Sequence, residues 1–164
     1  MRQLFTSGLL WSSAIGCGLM AGTYFAFSTF VMASLARLGP AAGIAAMNAI
    51  NVEIAKSLFV PLFLFTTLTS AALAVMAIFR WRQPGAAVML AGGVLYVLGM
   101  FVVTMVFNVP LNDALAANPS STEATSLWAR YPDTWIVWNH VRTAASTGSF
   151  VMFVLALILT RGQK

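Results

Sequence analysis

Along this chain the polar residues are gathered into a few short stretches, and apolar residues run almost unbroken between them. Four apolar runs result, at 9–35, 57–79, 86–107 and 135–160, the last extending back to Pro132 if that proline opens it. Each is long enough to cross the hydrocarbon of a bilayer, which takes about 20 residues of helix. Helix is the expected form, because it closes its own backbone hydrogen bonds where no water is present to do so. The pattern therefore predicts one integral membrane domain over 1–164. Its fold is all-α, an antiparallel bundle of four transmembrane helices. The run at 9–35 begins like a secretory signal, yet it is too long for a cleaved apolar region and reads as a retained spanning helix.

The connections carry the remaining elements. "RWRQPG", from Arg80 to Gly85, is short and forces the second and third runs into a hairpin. The link 36–56 contains "LGPAAGIAAMNAINVE", which predicts a short interfacial helix after Pro40. The link 108–131 holds "STEATSLWARY", a second such helix with Ser121 as its cap and Glu123 in its first turn. Pro132 suits the first turn of the final helix. Pro110 is expected to end the third run at or before Val109, leaving Asn108 and Asn112 to turn inward as caps.

Composition sharpens the class. Hydrophobic residues make up 60% of the chain and charged residues 8%, against about 25% charged in an average soluble protein. Mean hydropathy is +0.86. The net charge of +5 is spread over scattered Lys and Arg with no basic run, so it reads as a topology signal and not as a nucleic-acid surface. Arg2, Arg80, Arg82, Arg161 and Lys164 fall on one side, and the basic hairpin makes that side cytoplasmic. Both termini are then cytoplasmic, with the protein in the inner (plasma) membrane of a bacterium. Arg37, Lys56, Arg130 and Arg142 lie outside together with Glu53, Asp113, Glu123 and Asp133. The stretch "WARYPDTWIVW" fits an outer aromatic belt. Gly18 and Gly22, four apart with Gly16 nearby, permit close helix approach or leave room for a ligand. Cys17 stands alone, which rules out an internal disulfide.

Candidate chemistry gathers on the outer side. In "WNHVRTAAS", Trp135, Asn139 and Arg142 follow helical spacing, and Ser146 and Ser149 extend their stripe. His140, Thr143 and Thr147 form the adjacent stripe. An arginine as deep as Arg142 is costly unless it snorkels or pairs. Asp113 and Glu53 are the nearest acids, and Asn108, Asn112, Asn48, Asn51, Tyr24 and Ser28 all converge on the same end. The plainer reading stands beside this one: helix caps, interfacial anchors and a topology-setting ion pair account for the same residues, and Phe27, Phe30 and the methionines read as packing. One histidine and scattered carboxylates make poor material for a metal site, and no phosphate-binding or nucleotide fingerprint is present. The site is expected to be metal-free, with the lipid bilayer and a hydrophobic aromatic small molecule as partners.

The segments "GLMAGTYFAFSTFVMASLARL", "GIAAMNAIN", "TMVFNVPLNDAL" and "WNHVRTAAS" together resemble the anthrone oxygenase-like integral membrane family, over 18–149. The resemblance is most specific in the pairing of the asparagine–proline element with "WNHVRT". It implies a four-helix membrane protein. A few fungal and bacterial members are associated with oxidation of anthrones to anthraquinones without a conventional cofactor, and many have no assigned activity. Carried onto these positions, the resemblance implies His140 as the base and Arg142 as the stabiliser of a developing oxyanion. Asn108, Asn112, Asn139 and Asn51 would orient the substrate, and Asp113 would hold the histidine tautomer or offset Arg142. Tyr24, Trp135 and Trp138 would contact a planar ring. The competing class is a non-catalytic scaffold, accessory subunit or small transporter. Transport calls for polar groups at the midplane and inner side, where this chain has little beyond Ser, Thr and Gly.

Overall fold

The computed structural model describes residues 2–117 and 122–161, and every element among them is helical. Ser121, expected to cap the short helix, and Lys164 lie outside these residues, as do the side chains of Arg2, Glu123 and Arg161. Helix α1 runs continuously over 2–36. It is α-helical through Arg2–Ala26, widens to a π-helical turn at Phe27–Val31, and closes with Met32–Ala36. Helix α2 is Pro40–Lys56, α3 is Phe59–Phe79, α4 is Ala86–Ala117, α5 is Thr122–Trp128 and α6 is Tyr131–Arg161. Four of these (α1, α3, α4 and α6) are long and apolar enough to cross a membrane, so the chain is an integral membrane protein.

Contacts between the long helices define their packing. On the α1–α3 face, Ser13 donates to Thr69 at 2.8 Å and Tyr24 meets the Phe59 ring edge-on at a centroid distance of 6.2 Å. On α1–α6, Gly18 faces Phe150 and the Tyr24 carbonyl faces Asn139. On α3–α4, Ser70 faces Gly93 and Phe63 faces Phe101. On α4–α6, Gly92 faces Phe153 and Asn108 faces Trp135. In every pair the numbers rise along one helix as they fall along the other. Helix α1 and helix α4 therefore sit on one diagonal, and α3 and α6 on the other. The shared core holds Leu10, Cys17, Met20, Leu73, Tyr96, Met100 and Phe153.

Gly16, and not the Gly18–Gly22 pair, is the glycine that close packing of α1 against α3 requires. A Cβ on Gly16 would collide with the Thr66 side chain, whereas one on Gly18 would make ordinary contact with Phe150 and one on Gly22 would meet open space. At the hairpin end, Arg80 donates to the Thr6 hydroxyl at 3.1 Å, and Gly85 turns the chain with a φ of 83°.

Helix α4 does not stop at Pro110. It passes through Leu95–Val102 and Thr104–Asn108 in π-helical winding and continues as Val109–Ala117. Proline lacks an N–H and crowds the carbonyl one turn back. Widening the preceding turns relieves both problems inside a membrane helix. Asn108 and Asn112 are thus helix residues that bridge to other elements, and neither caps an end.

The two connecting helices cover one end of the bundle. Trp128 of α5 fills the space that Gly43 of α2 leaves open. Beneath them a second cluster joins Met32, Leu35, Ile44, Met47, Leu115, Trp128, Tyr131 and Trp135. Trp128, Tyr131 and Trp135 are therefore interior side chains and not an exposed aromatic belt. Trp138 is half-buried and stacks on Phe107, with ring centroids 3.6 Å apart.

Candidate functional site

Period decides which residues of α6 enter the bundle. Tyr131, Trp135, Asn139, Arg142, Ser146 and Ser149 repeat at three or four residues, and all are buried. Arg142 is only 5% exposed. Its Nη2 donates to Asn139 Oδ1 at 2.7 Å and its Nη1 reaches Thr104 Oγ1 at 3.5 Å. The guanidinium lies 4.3 Å from the centroid of the Tyr24 ring and 5.0 Å from that of Trp135. Among the described residues no carboxylate is within ion-pair distance of it; the one salt bridge joins the exposed Lys56 and Glu53 at 3.5 Å. Its Nε is buried without a partner. Two aromatic faces and one amide thus hold a desolvated cation, each face contributing about 2 kcal/mol when water is excluded.

Asn139 acts as the bracket. Its oxygen takes the arginine, and its Nδ2 donates at 2.8 Å both to the Tyr24 carbonyl and to Ser28 Oγ. That carbonyl lies beside the winding change at Phe27–Val31. Ser28 in turn shares a 3.0 Å hydrogen bond with Thr143. One turn nearer the covered end, a second network forms around Asn112. Its Oδ1 accepts from Tyr131 Oη at 2.7 Å and from Trp135 Nε1 at 3.0 Å, and its Nδ2 donates to Asn51 Oδ1 at 3.2 Å. Asn108 Nδ2 donates to the Trp135 carbonyl at 3.3 Å.

Both networks border one cavity of about 460 Å³. Tyr24, Phe27, Asn51, Phe59, Phe63, Thr104, Asn112, Asp113, Trp135 and Arg142 are among its lining residues, and most of its wall is apolar. Leu64 of α3 and Met105 of α4 also line it, and they are 47% and 48% exposed on the flank of the bundle. Part of the cavity wall therefore lies at the α3–α4 flank of the bundle. Asp113, an exposed residue, is the only carboxylate on its wall among the described residues.

Of the residues singled out from sequence, Tyr24, Asn51, Asn112, Asp113, Trp135 and Arg142 line the cavity. Asn139 is fully buried behind Arg142, and Asn108 and Trp138 sit in the α4–α6 contact. His140 does not join them. It is exposed on the same flank of α6 as Val137, Val141 and Ala144, because one residue turns a helix by about 100° away from Asn139. That rotation leaves it outside the cavity lining, whereas the sequence reading expected it as the base beside Arg142. Sequence reasoning missed Thr104, although it stands four residues before Asn108 and so shares its face. Phe27, read as packing, lines the cavity and tilts against Trp135 at a centroid distance of 5.5 Å. Among the described residues no three His, Cys, Asp or Glu side chains are grouped.

A mostly apolar cavity with a buried cation in its wall has room for an apolar molecule that carries a polar or anionic group. A family model described as anthrone oxygenase matches residues 52–152. The match takes in Asn108, Asn112, Asp113, Trp135, Asn139 and Arg142, and begins one residue past Asn51. No curated protein and no solved structure matches the chain.

Proposed function

Because the chain belongs to the anthrone oxygenase family, we propose that its cavity binds a hydrophobic, quinone-like aromatic and holds it for oxidation by dioxygen. The observation that carries this reading is a mostly apolar cavity faced by a buried guanidinium that no described carboxylate neutralises. Such a cation is expensive to keep in a membrane interior unless something uses it. The short basic hairpin favours a cytoplasmic position for Arg80 and Arg82 in the inner membrane of a bacterium. Both termini are then cytoplasmic and the cavity is on the outer side, beneath α2 and α5 at the membrane surface.

The chemistry follows from the substrate's acidity. A ring methylene flanked by two aryl groups and conjugated to a ketone loses a proton, and the electron pair delocalises onto the ketone oxygen. Arg142 lowers the energy of that oxyanion in a site from which water is excluded. Asp113, the carboxylate on the cavity wall, takes the proton. The carbanion gives its electron density to dioxygen and a C–O bond forms. The peroxide anion takes the proton back from Asp113, and the hydroperoxide so formed loses water and leaves a second carbonyl. The methylene carbon thus surrenders two hydrogens, and dioxygen supplies one atom to the product and one to water. Tyr24 and Trp135 present aromatic surface to the ring.

The test is turnover of an anthrone in air by the protein in lipid nanodiscs, following quinone formation and oxygen uptake above an empty-nanodisc control. Arg142→Met should lower kcat/KM by about 100-fold or more. Folded Arg142→Met with undiminished turnover would refute the oxyanion role, and no binding of the ring by the unaltered protein would refute the reading as a whole.

A further inference from the structure

The Asn112 network has a consequence for Asn51. An indole N–H only donates, so the atom of Asn112 facing Trp135 Nε1 at 3.0 Å has to be the carboxamide oxygen. The Tyr131 hydroxyl at 2.7 Å meets the same atom. Asn112 Nδ2 is thereby turned toward Asn51, and Asn51 must offer its own oxygen to receive it at 3.2 Å. Each amide orientation is fixed by the one before it, beginning with a group that has no alternative. What remains at the end of the relay is Asn51 Nδ2, buried and without a hydrogen-bond partner. Asn51 lines the cavity. A buried N–H₂ left unpaired is costly, and native structures seldom keep one without a use.

Arg142 Nε is likewise buried, unpartnered and part of a cavity-lining residue. The two spare donors belong to different networks, one on either side of the Trp135 indole, whose face meets Arg142 and whose N–H edge meets Asn112. Between them the wall is made by apolar side chains such as Phe27, Ile50 and Phe59. The competing account of Asn51 is local. Asn48 lies one helical turn away, and its Oδ1 is also buried without a partner. A small rotation would let the two amides satisfy each other, and the Tyr131 hydroxyl oxygen is a second acceptor within reach of the Asn51 amide; either pairing would leave nothing for a ligand.

We propose that Asn51 is a specificity-determining residue: the Trp135–Asn112 relay aims its carboxamide N–H₂ at an acceptor oxygen on the side of the ring system remote from Arg142. The site therefore prefers a flat apolar ring bearing acceptor oxygens at two opposed edges over the same ring bearing one. This inference rests on the substrate reading above for the oxygen at Arg142. It goes beyond it in assigning the second oxygen and the residue that reads it.

Equilibrium binding in nanodiscs tests it, with anthraquinone (two opposed ketone oxygens) and anthrone (one ketone oxygen) as probes and empty nanodiscs as the partition control. The unaltered protein should favour anthraquinone by about tenfold, the worth of one buried hydrogen bond. Asn51→Asp keeps an acceptor for Asn112 and removes the N–H₂. It should abolish the preference while anthrone affinity stays within about twofold. Asn51→Leu should do the same if it folds. Asn48→Ala and Tyr131→Phe each remove one competing acceptor and should leave the preference intact. Equal binding of the two rings by the unaltered protein overturns the Asn51 assignment alone. So does an equal loss of both rings in Asn51→Asp, which marks a packing role. Failure of either ring to bind at all rejects the substrate reading and this inference with it.

Discussion

Asn139 Oδ1 receives the Arg142 guanidinium at 2.7 Å, while the same side chain's Nδ2 is committed to α1 through Tyr24 and Ser28. Both residues are on α6, three apart, so the bond alone would not position the cation relative to anything else. The second half of the amide does that. It ties the arginine's bracket to the helix that supplies the Tyr24 ring. Asn139→Leu should therefore cost about 2–4 kcal/mol of stability, because it strands a buried charge as well as breaking two contacts. Unfolding in detergent, followed by near-ultraviolet circular dichroism, measures this; a loss below about 0.5 kcal/mol, the size of an ordinary surface change, would discount the bracket.

Neutralising the cation in place should separate binding from stability. Asn139→Asp puts a carboxylate where an amide oxygen now meets Arg142. The variant gains an ion pair but loses the Nδ2 donations to Tyr24 and Ser28, so its stability should stay within about 2 kcal/mol of the parent. Its affinity for an anionic ring ligand should fall by about tenfold, as the guanidinium becomes committed. A gain in affinity for such a ligand would show that the cation does not face it.

Removing the cation altogether should expose its cost. Arg142→Met keeps length and apolar contact while deleting the charge, and buried ionic groups are often replaceable in this way with little loss. Its stability is expected within about 2 kcal/mol of the parent, because the gain from removing the charge is offset by leaving Asn139 Oδ1 unpaired. Thermal midpoints read this beside the turnover assay. A stable but inactive variant identifies the arginine as functional, whereas collapse of the fold identifies it as structural.

The two candidate bases make opposite predictions. His140 is exposed and absent from the cavity wall, so His140→Ala should leave turnover within about twofold. Asp113→Asn should lower kcat by about 100-fold with ring binding retained, the usual effect of deleting a positioned base. A large loss in His140→Ala together with none in Asp113→Asn would return the imidazole to the site.

Close packing at Gly16 is testable without any ligand. Gly16→Ala should destabilise by about 1–3 kcal/mol, since its Cβ meets Thr66 on α3. Gly22→Ala, facing open space, should be neutral or stabilise by up to about 1 kcal/mol. Equal effects at both positions, measured by the same unfolding assay, would mean that α1 is rotated from the packing described.

Sequence by itself determined the four membrane spans and the inward stripe of α6. Both follow from local quantities: the length of an apolar run against bilayer thickness, and the 3.6-residue period that puts Trp135, Asn139 and Arg142 on one face. It also placed Tyr24, Asn51, Asn112 and Asp113 at the same end of the bundle. Tertiary packing decided the rest, because the rotation of each helix is set by neighbours far away in the chain. Asn139 faces inward and His140 outward on a difference of one residue, which α1 settles through the Tyr24 carbonyl. Pro110 lies within a helix because π-helical turns next to it absorb the strain. Trp128 is interior because α5 packs it against Gly43 of α2, and Trp135 because both of these helices fold over it. Arg142 lacks a carboxylate among the described residues because Asp113, though on the same cavity wall, is not brought within reach of it.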